Sequence, residues 1–470
     1  MIESLQHLPP AAGSNGELAA QFTDLAPPLT ARQAAVEAAR CLYCYDAPCM
    51  NACPTGIDVA SFIKNIHDGN VDGAAHGILK ANIFGGSCAR VCPTEILCED
   101  ACVRNNPAER EPVKIGLLQR YAIDNAAFKD HPFRRSAPSG KVIAVVGAGP
   151  AGLSCAHRLA MLGNEVVVYE AREKAGGLNE YGIAKYKLPG DFAKQEVDFL
   201  LAIGGIRIEY GRRLGENLSL AELHTRYDAV FLGLGLAASR ALGLTGEDAP
   251  GLMAAIEYIA ALRQASDLST LPVPRRAIVI GAGNTAIDMA VQIKRLGAED
   301  VTLVYRRGLE SMSATGHEIE IAKANFVRIR TWAAPLEVLL DEAGRVAGMR
   351  FEQTRMEEGR LVATSGFLEI AADAVFKAIG QGMNEESFVE PLARELAREG
   401  DRIRVDERFR TALPGIYAGG DCVAPGQDLT VQAVQHGKLA ALAIHQDIQA
   451  RTGTNTGTNA GATTEAAWQI

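Results

Sequence analysis

The chain of 470 residues reads as a multidomain protein, an α-helical N-terminal domain followed by two nested α/β (Rossmann-like) domains. Three observations predict this. Eight of the ten cysteines lie between positions 41 and 102, in a stretch whose apolar residues repeat at helical spacing. A short apolar strand, a glycine-rich turn, an apolar helix and a second strand follow at 141–170. The same unit recurs at 277–305, so the chain carries it twice.

The helical domain is expected over 30–138, with helices near 30–40, 58–68 and 114–127 and no clear strand. Its cysteines read Cys41-x2-Cys44-x4-Cys49-x3-Cys53-Pro54 and Cys88-x3-Cys92-Pro93-x4-Cys98-x3-Cys102. Close spacings bring several thiolates onto one small inorganic core, and a following proline turns the chain away. Two such runs supply ligands for two [4Fe–4S] clusters. Zinc is the rival, but zinc ribbons favour paired C-x2-C spacings that the C-x4-C-x3-C-P run does not match. A disulfide framework needs an oxidising compartment. The N-terminus MIESLQHLPP has neither the basic nor the apolar region of a secretory signal, so a cytoplasmic location is expected.

A Pro/Ser/Gly-containing linker at 131–140 closes this domain. Beyond it, Gly147, Gly149 and Gly152 follow a strand and open a helix, and Glu170 ends the next strand. Gly147 permits the turn, Gly149 admits a pyrophosphate, and Gly152 lets helix and strand pack closely. The helix N-terminus offers its N–H groups to phosphate, and Glu170 suits an adenosine ribose. Gly176-Gly177 follows at the spacing seen in FAD proteins, and Gly419-Gly420-Asp421 places a carboxylate suited to a ribityl hydroxyl. Gly177, Leu178, Gly420, Asp421 and Gln432 complete the expected FAD contacts. The rival here is an NAD site with a chance Gly-Gly-Asp.

In the second unit Gly281, Gly283, Asn284 and Thr285 form the turn for NAD(P), with Ala286 where a third glycine would sit. Its second strand ends in Arg306 and Arg307 rather than a carboxylate, and arginine there can hold a 2′-phosphate. The alternative is two solvated arginines. Short strands at 229–234 and 374–379 end in Gly233-x-Gly235 and Gly380, where the chain is expected to cross between domains. The second unit is therefore read as inserted in the first. FAD-binding residues span 139–262 and 370–448, with NAD(P)H-binding residues at 263–369. Residues 1–29 and 449–470 are expected to be tails, the latter disordered and of low complexity.

The formal net charge of -9 and a pI near 5.6 argue against nucleic acid. No apolar run suits a membrane span. A nicotinamide delivers hydride, a flavin takes two electrons and releases them singly, and clusters carry one at a time. The three together convert hydride into single electrons. The second nucleotide helix reads NTAIDMA, without the C-x-x-C of a thioredoxin-reductase-like enzyme. Cys155 and Cys422 are expected in the core, and His67, His76 and His436 as surface or structural residues.

The segments CLYCYDAPCMNACPTGIDVASFIKNI and GAAHGILKANIFGGSCARVCPTEILCEDAC resemble dihydropyrimidine dehydrogenase. The resemblance covers about 30–450 and is to the small subunit of the two-subunit bacterial enzymes. It implies a separate FMN-containing catalytic subunit, hence a hetero-oligomer. It also implies that ligands cross between the cysteine runs: Cys41, Cys44, Cys49 and Cys102 for one cluster, Cys53, Cys92 and Cys98 for the other. The family's fourth ligand to the second is a glutamine in an I-G-G-L-Q motif, matched by Gln119 in Ile115-Gly116-Leu117-Leu118-Gln119. Cys88 is the rival there. Mammalian-type members carry a second arginine seven residues after the first; here Ser313 stands at that distance from Arg306, which favours NADH. The glutamate synthase small subunit shares the cysteine skeleton and flavin domain and is the alternative. A scaffold subunit with decayed nucleotide sites is another, opposed by the intact motifs.

Overall fold

A computed structural model describes residues 2–451 and 453. Among these, 30–138 contains no strand and is built of helices and loops. Local chemistry sets the helix starts. Thr30 Oγ1 accepts from Gln33 N (3.3 Å) while Gln33 Oε1 accepts from Thr30 N (2.9 Å), a reciprocal cap on Ala31–Ala38. Asp58 caps Val59–His67 through Ser61 N (3.0 Å), and Asn70 caps Val71–Ala81 through Gly73 N (3.0 Å). The buried positions of Val59–His67 are Val59, Phe62, Ile63 and Ile66, the i, i+3, i+4, i+7 stripe of an amphipathic helix. They meet Ile78, Ile115 and Leu118 in a small core of their own.

The first α/β sheet runs Ile416–Ala418, Ala229–Leu232, Val142–Val146, Glu165–Glu170, Ile206–Tyr210, all parallel. The second runs Leu252–Ala254, Ala374–Ala378, Arg276–Gly281, Asp300–Val304, Arg328–Arg330, also parallel. Their central strands are continuous apolar runs, as a sheet covered on both faces requires. The strands of the second sheet lie in sequence between Ala229–Leu232 and Ile416–Ala418 of the first.

The strands Leu252–Ala254 and Ala374–Ala378, expected within the flavin segments 139–262 and 370–448, pair in the second sheet, so the second unit extends past both ends of 263–369. Two further elements differ from the sequence reading. Residues 2–29 are packed, not a tail. Leu5, Leu18 and Phe22 enter the core that holds Tyr258 and Val279 of the second unit. Ala11 N donates to Leu271 O (2.8 Å) and Val273 N to Pro9 O (2.9 Å). The Pro- and Gly-rich composition of 8–16 hid this, because an extended strap needs few apolar residues when those flanking it reach a groove. The second difference is an antiparallel sheet of Ala333–Leu340, Val346–Glu357 and Arg360–Ala371 inside the second unit. Its turn Glu358-Gly359 has φ of 48° and 78°, the left-handed pair of a tight hairpin. The tail expected at 449–470 lies outside the described residues except for 449–451 and 453; the helix Thr430–Arg451 continues through its first residues.

Candidate functional site

One cavity of ≈770 Å³ joins all three parts of the chain. Gly147, Gly149, Glu170, Gly177, Leu178, Gly420 and Asp421 line it from the first α/β unit, and Asn284 and Thr285 from the second. Cys92 and Pro93 line it from the cysteine-rich domain.

The glycine turn is forced by crowding. Gly147 has φ +100°, and a Cβ there would stand 2.3 Å from Gly233 O; at Gly152 it would stand 1.9 Å from Gly147 O. Gly152 therefore does not touch the cavity but lets the helix Pro150–Met161 start against the strand. Glu170 is buried, and its carboxylate accepts from Ala148 N (2.7 Å) and Arg172 N (2.8 Å). It thus holds the turn as well as facing the cavity. Asp421 follows Gly420, whose N–H donates to His436 Nδ1 (3.2 Å). Burial, with Asp428 adding to it, pushes the Asp421 carboxyl up to about 7, so it can share a proton with a hydroxyl. Gln432, expected on the flavin, does not line the cavity; its amide meets His436 Nε2 at 2.9 Å.

In the second unit the helix Asn284–Arg295 opens on the cavity. Gly281 and Gly283 lie behind it, with Gly281 against Ala378 O. Arg306 and Arg307 follow the strand Asp300–Val304, away from the cavity. Their carbonyls accept from Thr354 Oγ1 (2.6 Å) and Trp332 N (3.1 Å), and among the described residues neither side chain forms an ion pair. Ser313 Oγ donates to Ala282 O (3.4 Å) and sits on the glycine turn.

Sequence reasoning missed a charged group beside Asn284. Lys187 Nζ lies 2.7 Å from Asp288 Oδ1 and 2.6 Å from Glu318 Oε1, and Tyr186 OH donates to Asp288 Oδ1 (3.0 Å). Burial alone would lower the Lys187 ammonium, but the two carboxylates outweigh it and raise it. Burial also raises Glu318, whose buried Oε2 has no hydrogen-bond partner among the described residues. Asp288 stands one helical turn after Asn284, so spacing alone could have placed both on one face. Lys187 comes from a loop more than 100 residues earlier and carries no local signal.

The cysteines gather in two groups. Cys41, Cys44, Cys49 and Cys102 line a small cavity of ≈30 Å³. Burial pushes the Cys49 thiol up to about 11, and the Cys102 and Cys41 sulfurs add to it. Cys92 is surrounded by Cys88, Cys98 and Cys53, and its thiol is held far above the usual range, first by a hydrogen bond with Cys88 and then by burial. Burial likewise raises Cys98. Thiolates crowded in this way repel one another, and a cationic metal core removes the repulsion. Among the described residues no three Cys, His, Asp or Glu side chains close round a single ion. Cys88 is buried on the helix Gly85–Val91. Gln119 is buried too, and its Nε2 donates to Gly85 O (2.7 Å). Cys155 and Cys422 are fully buried in the flavin-unit cores.

Residues 141–437 match the family described as pyridine nucleotide-disulphide oxidoreductase. The chain belongs to that family. Residues 18–131 match the one described as dihydropyrimidine dehydrogenase domain II, 4Fe-4S cluster. The chain is 35% identical to the NAD-dependent dihydropyrimidine dehydrogenase subunit PreT of Salmonella typhimurium, over 91% of this chain and 97% of that one. It is 33% identical to the glutamate synthase [NADPH] small chain of Escherichia coli, over 90% and 93%. FprA of Mycobacterium tuberculosis in complex with NADPH shares the fold, with a TM-score of 0.55 at 20% identity over 70% of this chain and 89% of that one. The chain is thus an NAD(P)H-dependent FAD/iron–sulfur oxidoreductase. Among the described residues no helix is long and apolar enough to cross a membrane.

Proposed function

We propose that this chain is the electron-input subunit of a dihydropyrimidine dehydrogenase. It would pass electrons from NAD(P)H through FAD and two [4Fe–4S] clusters to a separate FMN-containing catalytic subunit that reduces uracil or thymine, or runs in reverse. The observation that carries the reading is the single cavity from Asn284 and Thr285, past Gly149 and Asp421, to Cys92. This arrangement supports a nicotinamide site, a flavin site and one cysteine group in series. The likeness to the dihydropyrimidine dehydrogenase subunit supports the choice of partner.

When bound, the flavin accepts hydride and releases single electrons. The chain's own residues orient the parts. Asn284 and Thr285 open a helix toward the nicotinamide nucleotide, and Lys187, Asp288 and Glu318 form a rigid charged wall beside it. Gly147, Gly149 and Gly177 admit the pyrophosphate, with Glu170 and Asp421 for the two sugars. Cys53, Cys92 and Cys98 with Gln119 would hold the cluster nearer the flavin; Cys41, Cys44, Cys49 and Cys102 would hold the outer one. Cys88, buried one helical turn before Cys92, is the rival to Gln119. The reading includes insertion of the nicotinamide domain within the flavin domain. NADH is favoured, since Ser313 rather than arginine packs on the glycine turn.

The near-equal likeness to a glutamate synthase small chain supports a second reading, in which the partner is the large glutamate synthase subunit. The test uses metal-replete protein reconstituted anaerobically. It should hold about eight irons and one FAD and oxidise NAD(P)H with artificial acceptors, yet leave uracil untouched. Uracil reduction should appear on adding the catalytic subunit. Zinc, or fewer than about six irons, would sink the two-cluster reading. Uracil reduction by the isolated chain would sink the electron-input reading, and activity on 2-oxoglutarate with glutamine would favour the second.

A further inference from the structure

The helix Thr430–Arg451 belongs to the flavin unit, yet one of its side chains reaches into the cysteine-rich domain. Lys438 is partly buried, and its Nζ donates to the carbonyls of Thr55 (3.1 Å) and Ala81 (2.8 Å). Both partners are neutral, and among the described residues Lys438 forms no ion pair. Thr55 is itself buried, and its Oγ1 lies 3.3 Å from Cys53 Sγ. The ammonium, Thr55 and the Cys53 sulfur therefore form a short polar chain across the junction of the two domains. A cation placed there without a carboxylate is costly unless something nearby is negative. Burial first, and then the Arg158 guanidinium, lower the Lys438 ammonium to about 8, while the Cys53 sulfur acts in the opposite direction.

We propose that Lys438 and Thr55 set the reduction potential of the cluster nearer the flavin, Lys438 by its positive charge and Thr55 by a hydrogen bond to Cys53 Sγ. The inference rests on the two-cluster reading above. One electron passed from the reduced flavin makes that cluster more negative by one charge; no bond forms or breaks. A nearby cation and a hydrogen bond to a ligating sulfur both stabilise the more negative form and raise the potential. Because Lys438 comes from the flavin unit, the potential depends on correct docking of the two domains.

The test is an EPR-monitored redox titration of the metal-replete full chain. Wild-type protein should show two cluster potentials; a single cluster overturns the two-cluster reading and this proposal with it. Lys438→Met and Thr55→Val should each lower one potential, by about tenfold in the one-electron equilibrium, or ~59 mV. The other cluster and the FAD should not move, and Lys438→Arg should keep the wild-type value. Two clusters with unmoved potentials in both variants overturn the proposal and leave the reading standing. So does an equal shift of both clusters. If Lys438→Met loses iron, Thr55→Val and Lys438→Arg decide: a lowered value in the first beside a retained one in the second supports the proposal, and no shift in Thr55→Val overturns it.

Discussion

Among the glycines of the first glycine turn, Gly152 has the least room, since its missing Cβ would overlap the carbonyl of Gly147. Gly152→Ala should displace the whole turn, at a cost of about 1–3 kcal/mol. The purified variant should carry much less than one FAD per chain, read from the flavin-to-protein absorbance ratio; full occupancy would refute the argument. The cysteine group near the flavin offers a second residue-scale test. Gln119→Ala should remove or alter one cluster and spare the other, while Cys88→Ser changes little. Iron content and EPR spectra decide, and the reverse pattern, iron lost only with Cys88→Ser, would hand the fourth position to Cys88. The structure sharpens the contest, because Cys88 is buried one helical turn before Cys92 while the Gln119 amide is engaged by Gly85.

At the scale of elements, the helix Gly85–Val91 is clamped from the flavin unit. Glu196, on Phe192–Leu201, accepts from Gly86 N (2.9 Å) and Ser87 N (3.0 Å) and also meets Ser87 Oγ. Burial pushes this carboxyl up from 4.5 to about 7, against the pull of those hydrogen bonds. A folded-state pKa above the unfolded one means that the folded chain binds the extra proton. Its contribution to stability is complete below about 4.5 and lost as pH rises through about 7. Wild-type protein should therefore lose more thermal stability between about pH 5 and 8 than Glu196→Gln does, by a few °C. Equal slopes would show that the carboxyl is already ionised in the fold. The antiparallel sheet at 333–371 teaches a related lesson about legibility. Its alternation in RLVATSGFLEIA and its Glu-Gly turn are local signals, but the surrounding α/β reading left no place for them.

Across the whole molecule, the N-terminal segment ties the second α/β unit to the cysteine-rich domain. Phe22 and Leu5 fill the core around Tyr258, while Asp24 pairs with Arg120 of the helix Ile115–Asn125. Phe22→Ala should cost about 3–5 kcal/mol, as other large buried aromatic truncations do. A thermal melt should show the loss although Phe22 belongs to none of the glycine motifs; an unchanged melt would mean that the strap is not part of the folded core. Cutting the chain at 130 would remove this packing together with the clusters. A truncated flavoprotein is therefore expected to be unstable, not merely uncoupled.

What the sequence determined by itself was local: which residues make the glycine turns, which cysteines are close enough to share a core, where helices start. Those properties depend on a few consecutive residues, so spacing reveals them. The tertiary structure decided which distant groups meet. The Lys187 bonds to Asp288 and Glu318, the strap of residues 2–29 on the second unit, and the reach of Lys438 across 383 positions to Thr55 all depend on how separately folded units dock. Docking follows from buried area and shape summed over whole surfaces. A lysine carries no mark in the sequence of whether its partner is water or a carbonyl of another domain.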